Sequence, residues 1–527
     1  MINIYALTTL AFALFLCFQI YEVRLHNISN VNKIQDYLLR SNIKSSYILI
    51  FLFLIVTQSA YLNYETIDWD TNSYLVSSQD ILRGNLPYET QWESKQVLFY
   101  YFYAILIKLS TGNLIAFKLL NDLILFAIVG VLYVLIESFT KSSFKALFSS
   151  LFYLSIMSQP WASAEFSEIY SLFFISIAYY FLAIKKITNK TCFYMGLLLS
   201  CASLINIGSA LFTIPFVIHL FFTNRKKIIL FIFGTSFLHI FFFIIYFAFG
   251  QLDVYWSTLF TIPNAYRGES MNLVKSVIDF LRSLYEFNIW IYLGLIFLSV
   301  SLFIDFIKFD NLKNKLKFFK TPHLYFLLTS IVFYYLASHG YYHHLIFFIY
   351  FFPFLIVNQR QPLSNILFSG IIFLGVASGI SSVASTSISN LQNLDVVYSN
   401  YPLKKLSSEI DNQFNDDYSI LALDTLLVLY YLDKPNFSYI VHPSNHNEEF
   451  ITDNLKKIGK VKDNEPKRLV ELEPDVIICS NNTIIHCEIY DYKTNYFELD
   501  ALQYRQDPNL QFYDNQTYHF RVFIKES

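Results

Sequence analysis

From residue 2 to about 383 the chain repeats one pattern: apolar runs of roughly fifteen to twenty residues separated by short polar intervals. A helix rising 1.5 Å per residue needs about 20 apolar residues to cross a hydrocarbon core about 30 Å thick. In lipid every backbone polar group must be satisfied internally, so these runs read as helices. They fall near 2–22, 46–63, 114–136, 144–158, 168–184, 192–207, 209–222, 228–249, 287–304, 322–338, 343–357 and 363–383. The pattern predicts a polytopic α-helical membrane protein with about twelve transmembrane helices. Composition agrees, because only 15% of the 527 residues are charged and 55% are hydrophobic, against about 25% charged in soluble domains. A net charge of -2 excludes a nucleic-acid binder that works through a concentrated basic face. Partners are therefore expected in or beside membrane lipid.

Lysine and arginine sort the polar intervals, since cytoplasmic loops keep an excess of both. The basic group holds Arg24, Lys33, Arg40 and Lys44, then Lys141 and Lys145, Lys185, Lys186 and Lys190, Arg225 to Lys227, and Lys308 to Lys320. The acidic or mixed group holds 65–113, the turn with Glu165 and Glu168, and 251–286. Alternation between the groups requires the apolar stretch 96–110 to lie along the outer interface rather than cross. With no positive region before it, the run 2–22 reads as a retained span rather than a signal peptide. Residues 1–383 then form the membrane domain, with an extracytoplasmic loop 65–113, and both ends of the chain lie outside.

From 384 to 527 the hydropathy falls to that of a soluble extracytoplasmic α/β domain. Strands are expected at Ser419 to Leu423 and Val476 to Cys479, and a helix at Asn447 to Ile458. Five cysteines make no metal or redox framework. Cys479 and Cys487 read either as a disulfide or as two unpaired core thiols.

The chemistry-bearing residues gather in the first outer loop, which reads Asp68-Trp69-Asp70-Thr71-Asn72-Ser73-Tyr74 and later Tyr88, Trp92, Glu93 and Lys95. Carboxylates at a membrane surface suit a reaction in which an acceptor hydroxyl is deprotonated while an anionic lipid leaving group stays in the bilayer. Asp70 is the first candidate for the base and Lys95 for the cation that holds a departing phosphate. The plainer alternative is a solvated acidic loop.

This loop resembles that of the GT-C glycosyltransferases, the polytopic enzymes that use polyprenyl-phosphate sugars, and especially the protein O-mannosyltransferase, Rgt-type and aminoarabinose lipid A transferase group. Asp70, Tyr74, Arg83, Gly84, Tyr88, Trp92, Glu93 and Lys95 occupy the family's places in order, followed by Phe99, Tyr100, Tyr101 and Tyr103. Two departures are Thr71, where the family usually has a second acid, and Gln96-Val97, where it has a Pro-Pro pair. The resemblance implies a catalytic set of Asp70, Asp68 and Glu168, and positioning roles for Tyr74, Tyr88 and Glu93. It implies donor-phosphate contacts at Lys95 and at His343 and His344 of the segment His339-Gly340-Tyr341-Tyr342-His343-His344. Arg267 of the 251–286 loop is a further phosphate candidate on the same side. Glu168 reads alternatively as a surface acid at a helix start, favoured there by the macrodipole. No cofactor is required, although Asp68 and Asp70 together offer two carboxylates to a divalent cation.

The implied activity is inverting transfer of a sugar from a polyprenyl-phosphate donor to a lipid, glycan or protein acceptor, in a bacterial inner membrane. The rival reading is a transporter or flippase of lipid-linked or small anionic substrates. Transport routes place ionisable groups within the membrane, and the expected spans carry few, Asn121 and Asp122 being the polar exceptions.

Overall fold

The computed structural model describes residues 32–66, 68–159, 162, 165–266, 273–296, 322–336, 341–357, 374–377, 380, 383–414, 417–480, 487, 495–507 and 520–526. The expected span 2–22, most of 363–383, the end of 287–304, Arg267 and His339 lie outside these residues.

Most of the described membrane domain is helical. The helices are α1 (Asn32–Gln58), α2 (Trp69–Leu82), α3 (Val97–Leu109), α4 (Leu114–Thr140), α5 (Ser143–Met157), α6 (Ser167–Ile184), α7 (Asn189–Ser203), α8 (Thr213–Thr223), α9 (Ile228–Ala248), α10 (Leu273–Phe287), α11 (Pro322–Leu336) and α12 (Ile346–Val357). Local signals start and stop them. The Asn113 side chain accepts the Ala116 N–H at 3.0 Å to begin α4, and Lys141 ends it in the left-handed region at φ 56°. Thr188 and Thr191 form a reciprocal capping box on α7.

Three described helical stretches are long and apolar enough to cross a membrane: Leu114–Thr140, Ser167–Ile184 and Arg225–Ala248. Shorter apolar helices occupy the places of further expected spans at Ser45–Tyr61, Ser143–Met157, Ile207–Thr223, Pro322–Leu336 and Tyr342–Phe354. α9 bares Ile229 and Phe247 to 77% and 69%, which water would oppose and lipid tails accept. Its other face meets α7 at a glycine crossing. A Cβ on Gly196 would come within 2.2 Å of the Phe231 carbonyl oxygen, so the two backbones touch only because both Gly196 and Gly234 lack side chains.

The stretch 96–110, expected to lie along the interface, folds as α3. Its 13 residues span roughly 20 Å, too short for a bilayer core. It buries Phe99, Tyr100 and Tyr103 while exposing Ile105 and Leu109. The interval 251–286, read from sequence as a loop, is instead largely helical: 252–266 winds continuously through a π turn at Ser257–Thr261, and α10 follows. Apolar residues at helical spacing, with Phe280 and Leu284 buried and Ile278 and Tyr285 exposed, explain the difference.

The C-terminal region holds a four-stranded sheet in the order β1-β2-β4-β3, built from β1 (Ile420–Ala422), β2 (Val476–Ser480), β3 (Tyr496–Leu499) and β4 (Phe520–Lys525). β1 and β2 are parallel with Ile420 opposite Val476, and the remaining pairs are antiparallel. Helices α13 (Pro402–Asp411), α14 (Leu427–Leu432), α15 (Glu449–Lys457) and α16 (Glu465–Glu471) accompany it. The two expected strands and the 447–458 helix fall on β1, β2 and α15. Asp475 ties β1 to β2 by accepting from the Ser419 N–H and hydroxyl, both at 2.8 Å. Cys479 and Cys487 are joined in a disulfide, which decides between the two readings of that pair.

This domain is fastened to the first loop of the membrane domain. Glu65 accepts from the N–H groups of Leu403 and Lys404 at 2.7 and 2.9 Å, placing a carboxylate at the N-terminus of α13. Trp92 and Ile440 form a parallel bridge, with the Trp92 N–H donating to the Tyr439 carbonyl and the Val441 N–H donating to that of Trp92. Gln79 donates to the Tyr430 carbonyl, and Arg83 pairs with Asp433 at 2.9 Å.

Candidate active site

Asp68 begins α2 as its N-cap, accepting the Asp70 N–H at 2.7 Å, and that cap aims the Asp70 side chain out of the first helical turn. The Tyr74 hydroxyl, one turn along, donates to Asp70 Oδ2 at 2.8 Å. His442 Nε2 lies 2.8 Å from Asp70 Oδ1. The Ser444 N–H points at His442 Nδ1 at 3.2 Å, which assigns the proton of the neutral ring to Nε2 and makes it the donor to Asp70. Both carboxylate oxygens are therefore oriented, and the side chain remains 27% exposed.

Burial works to raise the Asp70 carboxyl, but the His442 hydrogen bond, reinforced by the charge of Lys95, holds it below the usual carboxylate range. Asp68 goes the other way. Its burial and the neighbouring Asp70 charge push it up to about 7. The two expected candidates for the base thus differ: Asp70 is an oriented, ionised carboxylate, and Asp68 is a helix cap.

Lys95 sits with its Nζ 5.7 Å from the centre of the Tyr74 ring. Burial lowers the ammonium, yet the charges of Asp70, Glu168, Glu93 and Asp68 outweigh it and hold the group above its ordinary value. Among the described residues no carboxylate closes onto Nζ as an ion pair, which leaves its donors for an incoming anion. Tyr88 and Glu93, expected to position substrate, build the Lys95 segment instead. Tyr88, in the left-handed region at φ 68°, donates from its hydroxyl to the Lys95 carbonyl, and its own carbonyl accepts from the Tyr439 hydroxyl at 2.6 Å. Glu93 is 2% exposed and accepts from the Lys95 N–H at 3.0 Å and from the Tyr100 hydroxyl. This loop is packed and hydrogen-bonded rather than simply solvated.

Glu168 lies in the first turn of α6 but is 1% exposed, so it is no surface cap. Asn206, just beyond α7, donates to its Oε1 at 2.9 Å, and Ser167 to its Oε2 at 3.2 Å. His344 Nε2 stands 3.9 Å from Oε1. His343 stacks on Phe166 at 4.1 Å between ring centroids, and burial lowers its pKa despite the charges of Glu168 and Asp70. Asp68, Asp70, Lys95, Glu168, His343, His344 and His442 thus form one cluster of interacting side chains drawn from α2, the loop after it, the start of α6, the turn before α12 and the C-terminal region. Asn121, one of the two polar residues singled out in α4, accepts from the Tyr170 hydroxyl and pairs two helices.

Sequence reading missed His442 altogether, because its partner lies 372 residues earlier in the chain. The polar string His442-Pro443-Ser444-Asn445-His446 was the available signal, and it stands out only once Ile440 is paired with Trp92.

Protein-family models and curated proteins gave no match to this chain. Among solved structures, the crystal structure of ArnT from Cupriavidus metallidurans in the apo state superposes with a TM-score of 0.60. The alignment covers 91% of this chain and 98% of that one at 11% identity. The fold of this chain is therefore similar to that of ArnT.

Proposed function

We propose that the protein is an inverting glycosyltransferase that moves one sugar from a polyprenyl phosphate to a hydroxyl of a lipid, glycan or protein acceptor at the extracytoplasmic face of a bacterial inner membrane. The observation that carries this reading is Asp70 itself: ionised, partly open, oriented on both oxygens by Tyr74 and His442, and beside the uncommitted ammonium of Lys95. The ArnT fold supports a lipid-linked donor and favours a lipid acceptor. The Cys479–Cys487 disulfide supports an oxidising compartment for the C-terminal domain, and hence for Asp70, which His442 of that domain contacts.

In this mechanism the acceptor oxygen attacks the anomeric carbon as its proton passes to Asp70. The bond from that carbon to the phosphate oxygen breaks, and polyprenyl phosphate departs with its charge held by Lys95. A phosphate monoester leaves at neutral pH without a general acid, so one carboxylate and one cation suffice. With no second carboxylate acting as nucleophile, a single displacement inverts the anomeric centre.

Incubating the purified protein in native lipid with a panel of radiolabelled polyprenyl-phosphate sugars tests the proposal. One donor is expected to label a lipid or glycan fraction, with the product anomer opposite to that of the donor. Retention of configuration would contradict the single displacement, and absence of transfer from every donor would favour the transporter reading.

A further inference from the structure

We propose that the cleft between the end of α9, the start of the 252–266 helix and the last turn of α15 binds the headgroup of one zwitterionic phospholipid with a primary ammonium, of the phosphatidylethanolamine class. The cleft holds about 480 Å³, within the roughly 300–1,000 Å³ of ligand pockets. Its lining divides by polarity. Phe243, Leu252 and Trp256 supply apolar wall, whereas Asp253, Asn454 and Lys457 supply polar groups.

The cleft also lies where a lipid headgroup would be. α9 starts after the basic turn Arg225–Lys227, and Phe243 is near its opposite end. Ile240, Ile244 and Phe247 are exposed at helical spacing and form a stripe that leads along α9 to Phe243. Acyl chains laid on this stripe bring their headgroup to the cleft. Trp256 and Phe260 are exposed beside it, as aromatic side chains are at a membrane–water boundary.

Charge selects the headgroup. Lys456, in the last turn of α15, pairs with Asp463, and Lys460 just beyond it donates to Gln251 at 2.9 Å. Among the described residues neither Lys457 nor Asp253 has an ion-pair partner. One unpaired cation and one unpaired anion on the same cleft match the phosphate and the ammonium of a single headgroup. An anionic headgroup would leave Asp253 uncompensated, and a choline has no N–H to donate to it. The π turn Ser257–Thr261 adds two hydroxyls, because Ser257 and Thr261 line the cleft as well.

The 252–266 helix joins this cleft to the first loop. From its buried face Thr258 accepts the Trp92 indole N–H at 2.9 Å, and Trp92 belongs to the loop that carries Lys95. The lipid therefore braces that helix between α9 and α15, apart from the Asp70 cluster, and its binding does not depend on sugar transfer.

The test is native mass spectrometry of the delipidated full-length protein, without donor, titrated with phosphatidylethanolamine, phosphatidylcholine and phosphatidylglycerol of one acyl composition. One equivalent of phosphatidylethanolamine is expected to bind at least fivefold more tightly than either of the others. Lys457→Ala is expected to weaken it at least fivefold and Lys457→Arg to retain it, while Asp253→Ala erases the preference over phosphatidylcholine. Both side chains are exposed, so these variants are expected to fold. Equal affinity for the three lipids, tightest binding of phosphatidylglycerol, or an unchanged affinity and preference in Lys457→Ala and Asp253→Ala would overturn the site. Failure of the wild type to transfer any sugar would sink the transferase reading and leave this lipid site standing.

Discussion

At the scale of single residues, the site separates two carboxylates two positions apart into different tasks. Asp68 spends its acceptor on the Asp70 N–H, whereas Asp70 keeps an accessible edge. His442 is the residue on which this depends. Against the effect of burial, the charge of Asp70 raises the proton affinity of His442, and replacing that histidine by glutamine removes its charge from beside Asp70, so the Asp70 carboxyl moves upward. In the wild type the depressed carboxyl keeps its charge until the pH falls well below the ordinary carboxylate range. The acid limb of the kcat/KM profile is therefore predicted to shift to higher pH in His442→Gln, and the maximal rate to fall about ten- to hundredfold, as expected for one lost hydrogen bond to a charged group. An unshifted limb would show that Asp70 is not the group titrating there. Asp70, Tyr74 and Lys95 were legible in sequence because they lie within one short loop. Tyr88 and Glu93 were legible as members of the site but not in their tasks, since only the fold shows both turned onto the Lys95 backbone.

At the scale of elements, the candidate site is completed by docking the C-terminal region on the first loop, which brings His442 to Asp70. Glu65 is the fastening at the start of α13, and burial pushes its carboxyl up to about 7. A folded-state pKa above the unfolded value contributes stability that is fully present below the ordinary value and is lost as pH rises through about 7. Docking is thus predicted to loosen as pH rises from about 4.5 to about 7 and to change little above that, seen as faster limited proteolysis around 384–420 at pH 7 than at about pH 5. Glu65→Gln presents an amide to one of the two backbone N–H groups, so it is expected to cost about 1–3 kcal/mol at low pH and to flatten the pH dependence. Equal proteolysis rates at both pH values in the wild type would remove Glu65 from this role. The helical elements were readable from apolar run length, and α3 from its place between two loops of one side. The 251–286 interval misled because an amphipathic helix has the mean polarity of a loop, and β3 and β4 carry too short an alternating pattern to stand out.

At the scale of the whole molecule, a helical bundle with exposed apolar faces carries a cluster of polar side chains beside the α/β domain, and that domain contains a disulfide. Reducing Cys479–Cys487 is predicted to destabilise the C-terminal domain by about 2 kcal/mol through the reopened short loop. Thermal unfolding with and without reductant measures this, and identical curves would show that the bridge is not formed in solution. The helical architecture was legible because lipid forces helices, whereas His442 was not, since a contact across most of the chain leaves no local trace. The central claim is that Asp70 takes the acceptor proton in a sugar transfer from a polyprenyl phosphate. Its most direct test compares wild type with Asp70→Asn, measuring donor binding and transfer of labelled sugar at matched folded protein. Donor binding within about twofold of wild type with transfer reduced by about 10²- to 10⁴-fold is predicted; transfer equal to wild type would contradict the account.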